Sequence, residues 1–299
     1  MLAYFLLCLT TLFWAGNFVL ARAFSMDIPP VTLAFVRWFV ALLILLPFSL
    51  PVLIRHGAVI RRYWKRLALM GGLSVAGFNT LAYIGLQSTT AMNGTLMQSS
   101  MPIMILLISA VVLGEKASFK QWGGVALSLL GVSLLITQGQ LGLLLSLQFN
   151  PGDLWILCAM FVWATYSVAL RWLPKELTGF AFFSVTLLAG NLILAPFAYF
   201  EMSSADPIEW NVELYGLVLY LAIFPAILAY LFWNYGVSQL GAETAGLFVH
   251  LVPLWGMILS ILFLGEELKP FHLWGIALIF SGIYLAVISG ALFKKNKSV

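Results

Sequence analysis

Residues 91–131 read AMNGTLMQSSMPIMILLISAVVLGEKASFKQWGGVALSLLG, and residues 242–282 read AETAGLFVHLVPLWGMILSILFLGEELKPFHLWGIALIFSG. Both are an apolar run interrupted by proline, a Gly-Glu stop, a short polar turn and a second apolar run. At an offset of 151, Ala91 pairs with Ala242, Pro102 with Pro253, Gly114-Glu115 with Gly265-Glu266, Ala126-Leu127 with Ala277-Leu278 and Gly131 with Gly282. Trp122 and Trp274 pair after a slip of one residue. A duplication of this length asks whether the whole chain is two copies.

Composition sets the medium. Of 299 residues 62% are hydrophobic and 9% charged, against roughly 25% charged in soluble domains. Such a chain has too little polar surface for water and belongs in a bilayer. Its apolar runs do not alternate with polar residues as barrel strands do, so the expected class is an all-α polytopic membrane protein. The net charge of +4 is no nucleic-acid signal, because the basic residues lie between the apolar runs. Cys8 and Cys158 fall inside apolar runs and read as small buried hydrophobes. The sequence has no enzyme motif, no metal-ligand spacing and no cofactor-binding loop.

Ten apolar spans can be counted, at about 2–22, 31–54, 67–87, 90–113, 120–137, 153–173, 177–200, 213–236, 243–264 and 271–291. Helices of this length cross a hydrocarbon core of about 30 Å at about 1.5 Å per residue. The connections carry breakers such as Asp27-Ile28-Pro29-Pro30, Asn150-Pro151-Gly152 and Asp206-Pro207. Ala21-Arg22-Ala23 has the form of a signal-peptidase site. The segment lacks a basic n-region, however, and its pattern returns deep inside the chain, so a retained helix is expected.

Lys and Arg orient the spans. The segment between spans 2 and 3 holds Arg55, Arg61, Arg62, Lys65 and Arg66; Lys116, Lys120, Arg171, Lys175, Lys294, Lys295 and Lys297 lie on the same side. The other side has Arg22 and Lys269, and Arg37 lies within span 2. The positive-inside rule then places both termini in the cytoplasm. At an offset of 149, Trp14-Ala15, Val19, Arg22 and Pro47-Phe48 pair with Trp163-Ala164, Val168, Arg171 and Pro196-Phe197. Spans 1–5 and 6–10 are therefore expected as two copies. Because five is odd, the second copy is inverted, a design found in many secondary transporters with the substrate site between the repeats. The expected division is a first five-helix repeat over 1–137, a connector over 138–152, a second inverted repeat over 153–291 and a basic cytoplasmic tail over 292–299.

Phe13-Trp14-Ala15-Gly16-Asn17-Phe18-Val19, Phe35-Val36-Arg37-Trp38, Gly114-Glu115 with Gln121-Trp122-Gly123, and Gly265-Glu266 with Trp274-Gly275 resemble the drug/metabolite transporter superfamily, in particular its ten-helix EamA-type exporters. Phe161-Val162-Trp163-Ala164 in span 6 is similar to the aromatic amino acid exporters of bacteria within it. The resemblance covers essentially the whole chain. It implies a cavity surrounded by spans 1–4 and 6–9, spans 5 and 10 packed outside, and export from the cytoplasm by alternating access.

Candidate site residues follow from what is costly in a bilayer. Arg37 and His250 are the ionisable groups well inside a span. Arg37 could hold a substrate carboxylate, or snorkel to the interface. His250 could carry a proton, or be a neutral packing group. Asn17, Asn79 and Gln98 are polar residues in apolar spans, either substrate contacts or interhelical glue. Pro102 and Pro253 mark bends in spans 4 and 9, either gates or static kinks. Trp14, Trp163, Tyr83, Tyr166, Tyr230, Trp233 and Met101 either line a cavity or pack; Trp64, Trp155, Trp172 and Trp210 read as interfacial belts. As no carboxylate is expected to be buried, transport is expected to be facilitative or weakly coupled to protons.

The leading expectation is a secondary transporter exporting amino acids, including large neutral and aromatic ones, or related metabolites. A multidrug or other metabolite transporter of the same fold, a passive channel and an intramembrane enzyme are the alternatives. The expected partners are a small-molecule substrate and the lipid bilayer of a prokaryotic cytoplasmic (inner) membrane, with no nucleic acid and no cofactor. The expected oligomeric state is a monomer or weak homodimer.

Overall fold

The computed structural model describes residues 1–114, 119–140, 150–174, 176–177, 179–240, 248–249 and 251–295. Among them the chain is helical with no strand. In order come α1 (Leu2–Ala23), α2 (Pro30–Arg55), α3 (Gly57–Gly71), α4 (Phe78–Leu86), α5 (Ala91–Met97), α6 (Met101–Leu113) and α7 (Phe119–Ile136). They are followed by α8 (Pro151–Ala169), α9 (Gly179–Ser204), α10 (Val212–Leu221), α11 (Ala229–Leu240), α12 (Leu251–Leu264) and α13 (Pro270–Lys295). Among the described residues six stretches are long and apolar enough to span: Leu2–Ala23, Pro30–Arg55, Gly57–Leu86, Pro151–Ala169, Gly179–Ser204 and Val212–Trp233. Shorter apolar helices cover Ile103–Leu113, Trp122–Leu135, Leu251–Leu264 and Pro270–Gly282. The chain is a multi-pass membrane protein.

The starts and stops have local causes. Prolines open α2, α8 and α13, where a missing N–H costs nothing. The Thr90 hydroxyl, and the Asn150 and Asn211 amide oxygens, accept from Asn93, Gly152 and Leu214 backbone N–H, satisfying donors that a helix start leaves open. Gly114 and Gly265 end α6 and α12 at φ of 65° and 64°, a left-handed conformation that favours glycine.

Two helices pass through a π-helical turn that the sequence reading did not foresee. Gly72–Gly77 joins α3 to α4, and Ala222–Leu228 joins α10 to α11. The second contains Pro225, whose missing N–H breaks the i→i−4 ladder. The first opens at the Gly71-Gly72 pair, and a Cβ on Gly71 would run into the backbone of Thr186 and Gly190. Helix α3 also begins earlier than the third expected span: the basic segment 57–66 is itself helical, with a break at Tyr63 (φ −111°, ψ 17°).

Packing fixes the frame. Helix α1 lies against α11 and α12, and α8 against α4 and α6. Helix α2 packs on α9 and α10, and α9 also on α3. The turn Gly72–Gly77 rests on α8 and α9, and Ala222–Leu228 on α1 and α2. The most extensive pair is α7 with α13. There a side chain on Gly131 would strike the Gly275 carbonyl, and one on Gly282 the Gly124 carbonyl, so small residues permit backbone contact. Trp64, Trp155, Trp172 and Trp210 are all exposed, as interfacial belts require.

Candidate functional site

Arg37 lies two turns into α2, where a cation can neither reach water along a short path nor remain unsolvated at low cost. It does not snorkel. Its residual exposure is 2%, and Nη1 donates to Asn17 Oδ1 (2.6 Å), Asn79 Oδ1 (2.9 Å) and the Tyr83 hydroxyl. The Tyr83 hydroxyl in turn donates to Asn17 Oδ1 at 2.6 Å. Helices α1, α2 and α4 thus converge on one nitrogen, and every one of these partners is neutral. Nη1 has two protons for three acceptors, so at least one bond is shared. Nε is buried with no partner, and so is the indole Nε1 of the adjacent Trp38. The guanidinium carbon sits 4.7 Å from the Trp38 ring centroid, a cation–π distance.

An aromatic group continues from that point into the second half of the chain. Tyr230 contacts Trp38 edge-on (6.1 Å), Trp14 edge-on (6.5 Å) and Phe183 in a stack (5.0 Å). Trp14 also meets Trp233 at 5.4 Å. Phe13 and Tyr220 both pack on Phe224 at 5.1 Å, and a Cβ on Gly16 would overlap the Tyr220 hydroxyl. A second group joins Phe78, Trp163 and Tyr166, at 4.8 and 5.3 Å. Trp14, Asn17, Arg37, Asn79, Tyr83, Tyr230 and Trp233 therefore form one continuous set, with Trp163 and Tyr166 in a group beside the α3–α4 junction.

The structure does not bring every candidate to that set. Gln98 and Met101 are buried, and Gln98 Nε2 has no partner. Gln98 opens the 3-10 turn Gln98–Ser100 and Met101 follows it, and the turn packs on α7, α12 and α13. Pro102 stands in the first turn of α6, directly after that turn, so span 4 is a broken helix. Pro253 is buried in the first turn of α12. His250 lies outside the described residues. Trp38, Phe183, Tyr220 and Phe224 were missed by sequence reasoning. Trp38 had a cue in its position next to Arg37, whereas the other three were lost among the many aromatics of the apolar spans.

One expectation is overturned. Asp153, in the first turn of α8, is wholly buried. Its Oδ1 accepts from the Thr89 hydroxyl, and Oδ2 has no partner. The cause is a close backbone approach: a Cβ on Gly152 would collide with the Gly85 carbonyl and the Thr89 amide, which seats the start of α8 against the turn after α4. The premise that no carboxylate is buried, from which facilitative transport was expected, therefore fails. Two further acids have structural partners. Glu266 accepts from the Ala91 and Met92 amides (2.8 and 2.9 Å), and Glu201 from the Val31 and Thr32 amides (3.2 and 2.6 Å).

Comparison with known proteins gives a consistent result. The model of the EamA-like transporter family matches residues 1–137 and again residues 150–288. The uncharacterized transporter YyaM of Bacillus subtilis (strain 168) is 30% identical over 73% of this chain and 71% of its own length. A probable terminal-alkyne amino-acid exporter of Streptantibioticus cattleyicolor is 24% identical over 93% of this chain and 91% of its own. A solved crystal structure, 20% identical, superposes with a TM-score of 0.62 over 97% of this chain and 98% of that one, a likeness of fold.

Proposed function

The chain belongs to the EamA-like transporter family, a transporter and not an enzyme, and from that premise we propose that it exports amino acids from the cytoplasm by alternating access. Large neutral and aromatic amino acids are the favoured cargo, with related small metabolites as the wider class. The observation that carries this reading is the Arg37–Trp38 pair: two adjacent residues that bury N–H donors with no partner, beside an aromatic group. A carboxylate would satisfy such donors, and an arginine edge binds it in two-pronged fashion. Aromatic faces would receive an apolar side chain. In this conformation Arg37 is closed off, so the carboxylate reaches it only when the helices around it part.

The architecture proposed with this function is ten spanning helices in two inverted five-helix repeats, divided at 1–137, 138–152 and 153–291, with a basic tail over 292–299 and both termini cytoplasmic. Two observations support it. The family model fits the chain twice. The contacts of α1 with α11 and α12 also parallel those of α8 with α4 and α6, and the two π-helical turns each rest on the first two spans of the other half. The bends at Pro102 and Pro253 are the proposed gates. The proposed setting is the cytoplasmic membrane of a prokaryote, as a monomer or weak homodimer whose partners are substrate and lipid.

Counterflow of labelled phenylalanine in proteoliposomes, with competition by the twenty amino acids and a set of amphipathic cationic drugs, tests the reading. Saturable exchange blocked by large neutral amino acids is the expected result. Exchange blocked by the drugs and by no amino acid would replace it with a multidrug transporter of the same fold.

A further inference from the structure

The basic end of the bundle holds a cluster of cations apart from Arg37. Arg61, Arg62, Lys65 and Arg66 are all exposed on α3, around the break at Tyr63. Among the described residues their contacts are rings and a carbonyl. Arg62 and Arg66 lie over Tyr63 at 5.4 and 5.8 Å, and Lys65 over Trp64 at 5.7 Å. Arg66 Nη1 donates to the Trp172 carbonyl at 3.4 Å. Glu176, the carboxylate in the turn after α8, is exposed. Four cations within six residues are therefore exposed beside Trp64 and Trp172, themselves exposed, and tryptophan is the kind of residue that favours a membrane interface.

Beside Arg66 a crevice of about 430 Å³ opens between α3 and the end of α8. Arg66 and Trp172 belong to its wall, together with Leu69, Leu73, Ala169 and Leu173. In a bilayer an apolar crevice of this kind faces acyl chains, and a basic pocket between helices attracts anionic headgroups. We infer that the crevice binds one anionic phospholipid, with its phosphate on Arg66 and an acyl chain along Leu69, Leu73 and Leu173. The charge excess selects an anionic headgroup over a zwitterionic one. The break at Tyr63 turns the basic half of α3 relative to its spanning half, placing cations at the boundary while Leu69 and Leu73 stay at acyl depth.

The test is native mass spectrometry of the full-length protein, stripped of lipid in detergent and titrated with dioleoyl-phosphatidylglycerol or dioleoyl-phosphatidylcholine. The expected result is one tightly held phosphatidylglycerol, held in preference to phosphatidylcholine. Arg66→Gln, at an exposed position and with a side-chain N–H kept for the Trp172 carbonyl, should weaken its binding about fivefold, the factor one interfacial cation contributes. Arg66→Lys should restore most of it. Leu69→Trp should lower retention by filling the crevice, while Val111→Trp, on an exposed face of α6, should not. Equal retention of the two lipids would overturn the inference, as would undiminished phosphatidylglycerol binding in Arg66→Gln. Arg66→Gln alone decides if Leu69→Trp fails to elute as a single species.

Discussion

Arg37 commits one nitrogen to Asn17, Asn79 and Tyr83 and leaves Nε bare, and this asymmetry separates a binding role from a structural one. In Arg37→Met the Tyr83–Asn17 bond survives, so Asn79 Oδ1 is the main acceptor left open, at a cost of about 1–3 kcal/mol. Removing an unpaired buried cation offsets that cost. Thermal unfolding in detergent should therefore change little, while amino-acid counterflow should fall to background. A collapse in stability with no specific loss of flux would make Arg37 a structural residue. Asn17→Ala should differ in its effect on stability. It removes an acceptor from the guanidinium, worth about 1.5–3 kcal/mol for a bond to a charged group, and should lower the unfolding temperature as well as flux. Arg37 was legible as a costly ionisable group in an apolar span, and Asn17, Asn79 and Tyr83 as candidates one by one. Their convergence was not legible, because it depends on how three helices separated by 20 to 66 residues cross. Asp153 was misread for a related reason: position near a span end says nothing about burial when Gly152 and Gly85 let two backbones meet.

At the scale of elements, the Gly-Glu motif gains a second task. The sequence identifies it as a stop, and Gly114 and Gly265 perform that in the left-handed conformation. The carboxylate of Glu266 then crosses to the start of α5 and accepts the Ala91 and Met92 amides. Open N–H groups and the positive end of a helix dipole make this a favourable place for an anion. Glu266→Gln keeps an acceptor for one amide but loses the charge and the acceptor for the other, so it should cost about 1 kcal/mol or somewhat more. Glu266→Ala leaves two amides open and should cost more, about 1–3 kcal/mol. Unfolding followed by tryptophan fluorescence would rank the two, and equal effects would show that the uncharged acceptor contributes nothing and the charge alone holds this junction. The counterpart Glu115 lies outside the described residues. The π-helical turns had only weak cues, a Gly-Gly pair and Pro225, and an irregular turn is set by the neighbour it fits. A side chain on Gly190 of α9 would overlap Val75, which ties the first turn to its contact.

For the whole molecule, the membrane class and the family could be read from one sequence, because composition and order survive without coordinates. The conformational state could not, since it is a property of how the halves meet. With Arg37 closed off and Glu266 joining the end of α12 to the start of α5, the proposed alternating access requires that junction to move when this end of the bundle opens. Cys8 and Cys158 are free, so both would first be replaced by serine. Cysteines introduced as Thr90→Cys and Glu267→Cys, each adjacent to the bonded pair, can then be bridged by a cleavable bifunctional thiol reagent. Bridging should stop counterflow, and reductant should restore it, while either single cysteine treated alike should transport normally. Full flux through the bridged protein would mean that the α5–α12 junction stays fixed during transport, and the opening would have to be assigned to other contacts, such as those of Gly72–Gly77 and Ala222–Leu228 with the opposite half.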